Sequence, residues 1–300
     1  MSCCSSFKWC KLFSNYKLLI MRKTVQFLFA LLLLSLFTTQ CDVIDQPFKN
    51  GGPQDTTSTA QLRNVLIEDF TGHRCKNCPK ASKEIEALVD AFGGDRIIGL
   101  AIHARPGNFT GTNTDYPTDF TTQEGKDIQN FFGTNALPMG MVNRENWTSS
   151  GNSHRSSYPN WPTLSAEAMD STLRVELQVE ASVSSDTILN VDVSALPQVG
   201  ILHDLEVVIM IKESGIVSPQ LMPDNTRDAE YVHNNVLRDF VTPTWGEEIG
   251  ASPLVPGDEL TSSFSLAWNT DWVQANSAVV VYAYNPENYR ILQAIEVPVD

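Results

Sequence analysis

The feature that most constrains the fold is a change of hydrophobic period near residue 172. The run Leu173-Arg174-Val175-Glu176-Leu177-Gln178-Val179-Glu180 alternates apolar and polar residues. A half-buried antiparallel strand does this, because successive side chains point to opposite sides of a sheet. Similar runs follow near 187–194, 204–212, 231–241, 259–267, 277–284 and 290–298. About seven strands with turn residues between them predict an immunoglobulin-like β-sandwich over 172–300.

Ahead of that point, strand and helix patterns alternate. Val65-Leu66-Ile67 reads as a buried strand. Ile85, Leu88, Val89 and Phe92 recur at helical spacing and predict a helix from Pro79 to Phe92, ended by Gly93-Gly94. Pro79 suits the first turn, where its missing N–H would have no helical partner. The apolar run from Arg96 to His103 reads as a parallel partner strand, completing a right-handed βαβ unit. A polar loop, Ala104 to Phe120, leads to a short helix from Thr122 to Phe132 and then to a strand over Pro138–Arg144. Pro138, just ahead of that strand, is a candidate cis peptide. No final hairpin strand is read after Arg144, and Trp161-Pro162 with the helical stretch Leu164–Met169 closes this half, 61–171.

Between the first strand and its helix lies Cys75-Lys76-Asn77-Cys78. Two thiols one turn apart at a helix N-terminus can close a disulfide. The unpaired N–H groups and positive dipole end favour the thiolate. His73, Arg74, Lys76 and Lys80 add basic residues around the site.

The N-terminus reads as packaging. Arg22 and Lys23 precede an apolar stretch from Val25 to Phe37, and Thr38-Thr39-Gln40-Cys41 follows. That pattern predicts a secretory signal peptide with a lipoprotein cleavage site, too short an apolar run to span a bilayer. Residues 1–41 would be an upstream extension, with Met21 the more natural start, plus this signal; Cys41 would carry the lipid, and 42–60 would be a flexible polar tether. Membrane attachment is then expected through acyl chains, with the protein in the cell envelope at the outer membrane.

Six cysteines reduce to one pair under this reading. Cys3, Cys4 and Cys10 fall in the leader and Cys41 is lipidated, which leaves Cys75 and Cys78 as the mature thiols. An oxidising envelope favours their pairing. The formal net charge is −14, and the leader removes five basic residues (Lys8, Lys11, Lys17, Arg22, Lys23) without an acid. So acidic a chain is a poor nucleic-acid ligand.

The order of strand, dithiol, helix, strand, helix, proline and strand resembles the thioredoxin fold. The resemblance implies that Asp69, six positions before Cys75, is the buried acid, and that Pro138 is the cis-proline that packs against the dithiol and receives a substrate chain. Thr71-Gly72-His73-Arg74-Cys75-Lys76-Asn77-Cys78-Pro79, Pro138 to Arg144, and His233-Asn234-Asn235-Val236-Leu237-Arg238 are similar to blocks of the Omp-related outer-membrane lipoprotein family of Bacteroidota. That likeness implies location and architecture more than activity.

Two functional readings follow. In the first, Cys75 lies nearer solvent and attacks, Cys78 resolves, Asp69 relays a proton and Pro138 holds the substrate backbone, with protein disulfides or an envelope reductase as partners. In the second, the chain is a scaffold or binding lipoprotein and Cys75–Cys78 is a structural disulfide, although so short a loop constrains little chain entropy. A soft-metal set of His73, Cys75, Cys78 and His103 is a further alternative. Covalent haem is disfavoured because Pro79 follows Cys78. No cofactor motif is read. His233-Asn234-Asn235 and Trp161, Trp245, Trp268 and Trp272 are read as packing.

Overall fold

A computed structural model describes residues 62–300, apart from 105–108, 135, 149–150, 152 and 185–186. The leader, Cys41 and the tether 42–60 lie outside the described residues. The first half comprises β1 (Val65–Phe70), α1 (Cys78–Phe92), β2 (Ile97–Ile102), α2 (Gln123–Phe132), β3 (Met139–Val142), β4 (Arg155–Ser156) and α3 (Trp161–Met169). Local chemistry sets the boundaries. Gly93 ends α1 at φ 96°, its N–H donating to Val89 O, and the Thr122 side chain caps α2 by accepting from Gly125 N.

Three long strands follow: β5 (Val175–Ser184), β6 (Ile188–Pro197) and β7 (Leu205–Glu213). Then come four two-residue strands, β8 (Ile216–Val217), β9 (Gln220–Leu221), β10 (Arg227–Asp228) and β11 (Val232–His233). The chain ends with β12 (Val236–Phe240), β13 (Glu247–Gly250), β14 (Leu260–Ala267), β15 (Ser277–Tyr284) and β16 (Ile291–Pro298).

One mixed sheet runs in the order β16-β15-β7-β12-β2-β1-β3-β4, and β13 also pairs with β7. β1 and β2 are parallel, while β3 is antiparallel to β1 and β4 to β3. β4 is the hairpin strand that sequence reading did not find after Arg144. With only two residues it shows no alternation to detect.

The sheet also crosses the boundary expected near 172. Val236 of β12 pairs in parallel with Ala101 of β2, and the Ala101 N–H donates to Asn235 O at 2.7 Å. Residues 61–171 and 172–300 therefore share backbone hydrogen bonds, and Thr59–Asp300 forms one compact unit. Hydrophobic period reports which side of a strand is buried, not which edge is paired, and the open edge of β2 needs a partner. Polar side chains lock the same junction. Arg63 Nη2 donates to Ile291 O at 2.7 Å and pairs with Glu145 at 2.6 Å, and Gln293 Oε1 accepts from Asn64 N at 2.8 Å.

Three apolar cores result. α2 packs on one side of the sheet, where Leu66, Phe70 and Leu100 meet Ile128, Met210 and Tyr282. α1 and α3 cover the other side of β1 with Ile85, Leu88, Trp161 and Leu164. Gly140 permits that cover, because a Cβ there would sit 2.5 Å from Trp161 Cζ2. Farther along, the three-stranded sheet β14-β6-β5 lies over β7 and β15, burying Leu177, Val191, Val207, Ile209 and Val281. This two-layer core matches the alternation read over 172–300, but one layer is continuous with the α/β sheet rather than separate. Trp161, Trp268 and Trp272 are buried in these cores and Trp245 packs at the edge of one, as expected.

Candidate functional site: the dithiol turn and its surroundings

Cys75 and Cys78 are joined as a disulfide, with Cα atoms 5.4 Å apart. The turn forms locally: Cys75 N donates to Gly72 O at 2.9 Å and Cys78 N to Cys75 O at 3.1 Å. Cys78 is the first residue of α1, so its sulfur lies at the positive end of the helix. Both cysteines are buried, so little separates them in exposure. The two cysteines are 2% and 1% exposed.

Covering the turn are two segments. The Phe109 carbonyl accepts from Arg74 N at 2.9 Å, close enough to Gly72 that only glycine fits there. On another side stands β9, whose Leu221 N–H donates to His73 O at 2.8 Å. Gln220 Nε2 donates to Cys75 O at 3.1 Å and to Gly72 O at 3.4 Å. Sequence reading missed Gln220, Leu221 and Tyr231 as site residues. Gln220 and Leu221 lie in an aperiodic stretch of the second half and Tyr231 begins a run read only as a strand, and only folding brings them to the cysteines.

The basic cluster is not what it promised. His73 is buried, and burial lowers its pKa, partly opposed by its Nε2–H donation to Gly111 O, so it is neutral near pH 7. Arg74 turns to Gly111 O and stacks over the Tyr116 ring at 5.9 Å. Lys76 and Lys80 are exposed, and Lys76 Nζ donates to Asn225 Oδ1 at 3.2 Å. Histidines instead gather as aromatic packing. The His103 ring centroid lies 6.4 Å from that of His73 and 6.0 Å from that of His233, with Phe120 4.8 Å from both His103 and His233. Burial drives the His103 pKa well down, helped by His233 and His73, and takes His233 to about 4. Among the described residues no group of three metal-ligating side chains is arranged to hold an ion.

Asp69 sits on β1 between Ala101 of β2 and Gly140 of β3. It is 1% exposed, neither carboxyl oxygen has a hydrogen-bond partner, and burial raises its pKa to about 8. The Leu137–Pro138 bond is cis. Met139 pairs with Phe70, which puts Pro138 at the same end of β1 as the dithiol turn. A cavity of about 20 Å³, room for about one water molecule, is lined by Thr71, Cys78, His103, Gln220, Tyr231 and His233. A second, open cleft of about 320 Å³ lies between α2 and β12, lined by Thr122, Glu124, Arg238, Asp239, Asn269 and Trp272.

Comparison with known proteins places this arrangement. A family model described as outer membrane protein Omp28 matches residues 125–299, more than half of the chain. The chain belongs to the Omp28 family. Membership locates it at the outer membrane of the cell envelope. The matched residues begin beyond the dithiol but include the whole of β8–β11, so the family pattern contains the cover and not the cysteines. HBP35 of Porphyromonas gingivalis is structurally similar, with a TM-score of 0.55 and 16% identity over 80% of this chain and 76% of that one. A domain of the outer membrane lipoprotein Omp28 from the same organism aligns with 43% of this chain and 91% of its own, at 16% identity and a TM-score of 0.31. None of the curated proteins matches the sequence.

Proposed function

We propose that this Omp28-family protein is a lipid-anchored thiol–disulfide exchange protein, using Cys75 and Cys78 on a thioredoxin-like frame. The observation that carries the reading is a disulfide at the start of α1 beside a strand that buries an unpaired carboxyl group, Asp69. The sheet order β2-β1-β3-β4 and the cis Pro138 at the same sheet end support the frame. The two-layer core over β5–β7, β14 and β15 supports the immunoglobulin-like reading of the second half.

In the oxidising direction a substrate thiolate attacks Cys75 Sγ. The Cys75–Cys78 bond breaks and Cys78 leaves as a thiolate stabilised by the N-terminus of α1. Asp69, protonated at neutral pH, supplies the proton that neutralises Cys78. A second substrate thiolate then attacks the mixed disulfide at the substrate sulfur and releases Cys75. Substrate loses two electrons to its new disulfide, and the protein is left as a dithiol that an envelope oxidant must reset. The reverse sequence reduces a substrate disulfide and consumes an envelope reductant.

A second reading, a scaffold with a structural disulfide, is favoured by the burial of both cysteines. Turnover of a dithiol peptide by the purified protein separates the two. Exchange predicts oxidation of the dithiol peptide that Cys75→Ser abolishes, and a mixed disulfide that accumulates when Cys78→Ser is given the disulfide form of the peptide, whose bond the Cys75 thiolate breaks. A folded protein that leaves the peptide untouched establishes the scaffold. The anchor is tested by fatty-acid labelling, which should mark the wild type and not Cys41→Ala; equal labelling of both removes the lipoprotein claim.

A further inference from the structure

Between β7 and β12 the chain leaves the sheet and returns to the same place, since Glu213 and Val236 are paired. The excursion, residues 214–235, is a two-tier hairpin. β8 pairs with β11 at its base, and β9 pairs with β10 nearer its tip. Its base is held by His233, whose Nε2–H donates to Ser218 O at 3.1 Å and whose ring packs on Phe120. The upper tier lies on the dithiol turn. There β9 supplies one backbone N–H to His73 O and one side-chain amide to the carbonyls of Gly72 and Cys75, and Asn225 meets Lys76.

Those carbonyls matter because they form an acceptor edge beside the disulfide: Gly72 O and Cys75 O accept from Cys75 N and Cys78 N within the turn and have a second lone pair for Gln220, while His73 O accepts from Leu221 N. An extended peptide recognises such an edge by donating its own N–H groups, as in strand addition. β9 does this from within the chain. Disulfide exchange needs a nucleophile to approach a sulfur atom, yet both cysteines are almost wholly covered. We infer that residues 214–235 are an autoinhibitory lid in which β9 occupies the site of an extended polypeptide substrate. The inference rests on the exchange reading for the word substrate, but not for the lid. When the lid lifts, a peptide strand restores the lost hydrogen bonds, whereas a small thiol cannot. The lid thus selects polypeptides over low-molecular-weight thiols.

The hairpin geometry supplies the test. Gly215 N donates to Asn234 Oδ1 at 3.0 Å and Asn235 N to Ser214 Oγ at 2.9 Å, so the ends of the lid already touch. Excising residues 216–233 and joining Gly215 to Asn234 leaves the short loop Ser214-Gly215-Asn234-Asn235 between paired strands. Reduction of the disulfide by a water-soluble phosphine is then timed for the full chain, the excised chain and Gln220→Ala. Removing the cover should accelerate reduction roughly tenfold or more, and Gln220→Ala should do so a few-fold, because local opening replaces a fixed barrier. A synthetic peptide of residues 216–228 should bind the excised chain saturably and slow its reduction again, and should not bind the intact chain. Equal reduction rates for the full chain and a folded Gln220→Ala variant, or a peptide that fails to bind a folded excised chain, overturn the lid. An excised chain that is reduced quickly and binds the peptide, yet fails to oxidise a dithiol, keeps the lid and removes the exchange reading.

Discussion

Adjacent carboxylates on β1 have opposite fates. Glu68 points to the α2 side, where Arg144 grips it with two hydrogen bonds of 2.7 and 2.6 Å. Arg144 is itself buried, lying over the rings of Phe132 at 5.3 Å and Tyr282 at 4.9 Å. One residue on, Asp69 points to the α1 side, equally buried and with no partner. Taking a carboxylate out of water is costly unless a cation and hydrogen bonds replace the lost hydration. Glu68 meets that condition and serves the fold. Asp69 does not, so it holds its proton into the neutral range. A carboxyl group buried without a partner costs stability, and on the exchange reading that cost serves the dithiol.

The largest expected effect breaks the satisfied side. Arg144→Ala should unpair Glu68 and cost about 3–5 kcal/mol of unfolding free energy, measured by chemical denaturation. Glu68→Leu combined with Arg144→Met should recover most of that loss. If the single variant is as stable as the wild type, the ion pair is not what holds this side together.

Next comes the unsatisfied side. The folded pKa of Asp69 is raised from 3.8 to about 8, so its contribution is fully present below the unfolded value and is lost as pH rises through about 8. Between pH 4 and 9 that loss should reach a few kcal/mol. Asp69→Asn should flatten the alkaline limb and, on the exchange reading, slow oxidation of a dithiol peptide. A stability–pH curve unchanged by the substitution would show that Asp69 is ionised at neutral pH after all.

The smallest effect has the opposite sign. His73, His103 and His233 have depressed pKa values, so their contribution is present above the unfolded value of 6.5 and is lost as pH falls, for His233 through about 4. Charging this packed cluster brings cations together, with Arg74 and Arg238 nearby and Asp119 the opposing acid. His233→Phe should remove about 1–2 kcal/mol of acid sensitivity. Hydrogen exchange across 216–233 should show the same region protected at lower pH in the variant, and equal acid midpoints would argue against the cluster as a pH-sensitive contact.

Legibility in sequence follows range. α1 was readable from Ile85, Leu88, Val89 and Phe92, and the cis bond from the position of Pro138 ahead of β3. Asp69 was placed by the thioredoxin resemblance rather than by any local pattern. β5, β6 and β14 were readable from period-two alternation, because burial on one side of a strand is written directly into residue order, whereas β7 and β15, buried on both sides, were readable as apolar runs. What could not be read was partnership. Glu68 gave no sign of Arg144, seventy-six residues away, and Arg63 none of Ile291. The His73 carbonyl gave none of Leu221.

Sequence alone therefore determined the longer elements, the buried side of those that are half-buried, the dithiol at a helix start and the acidic character of the chain. These depend on composition and on neighbours within a turn or two. Tertiary structure decided that the two halves share one sheet, that Glu68 is paired while Asp69 is not, and that β9 lies across the cysteines. Each of those outcomes depends on which backbone edge or buried charge meets which partner. The energy that selects a partner appears only when distant segments exclude water from one another.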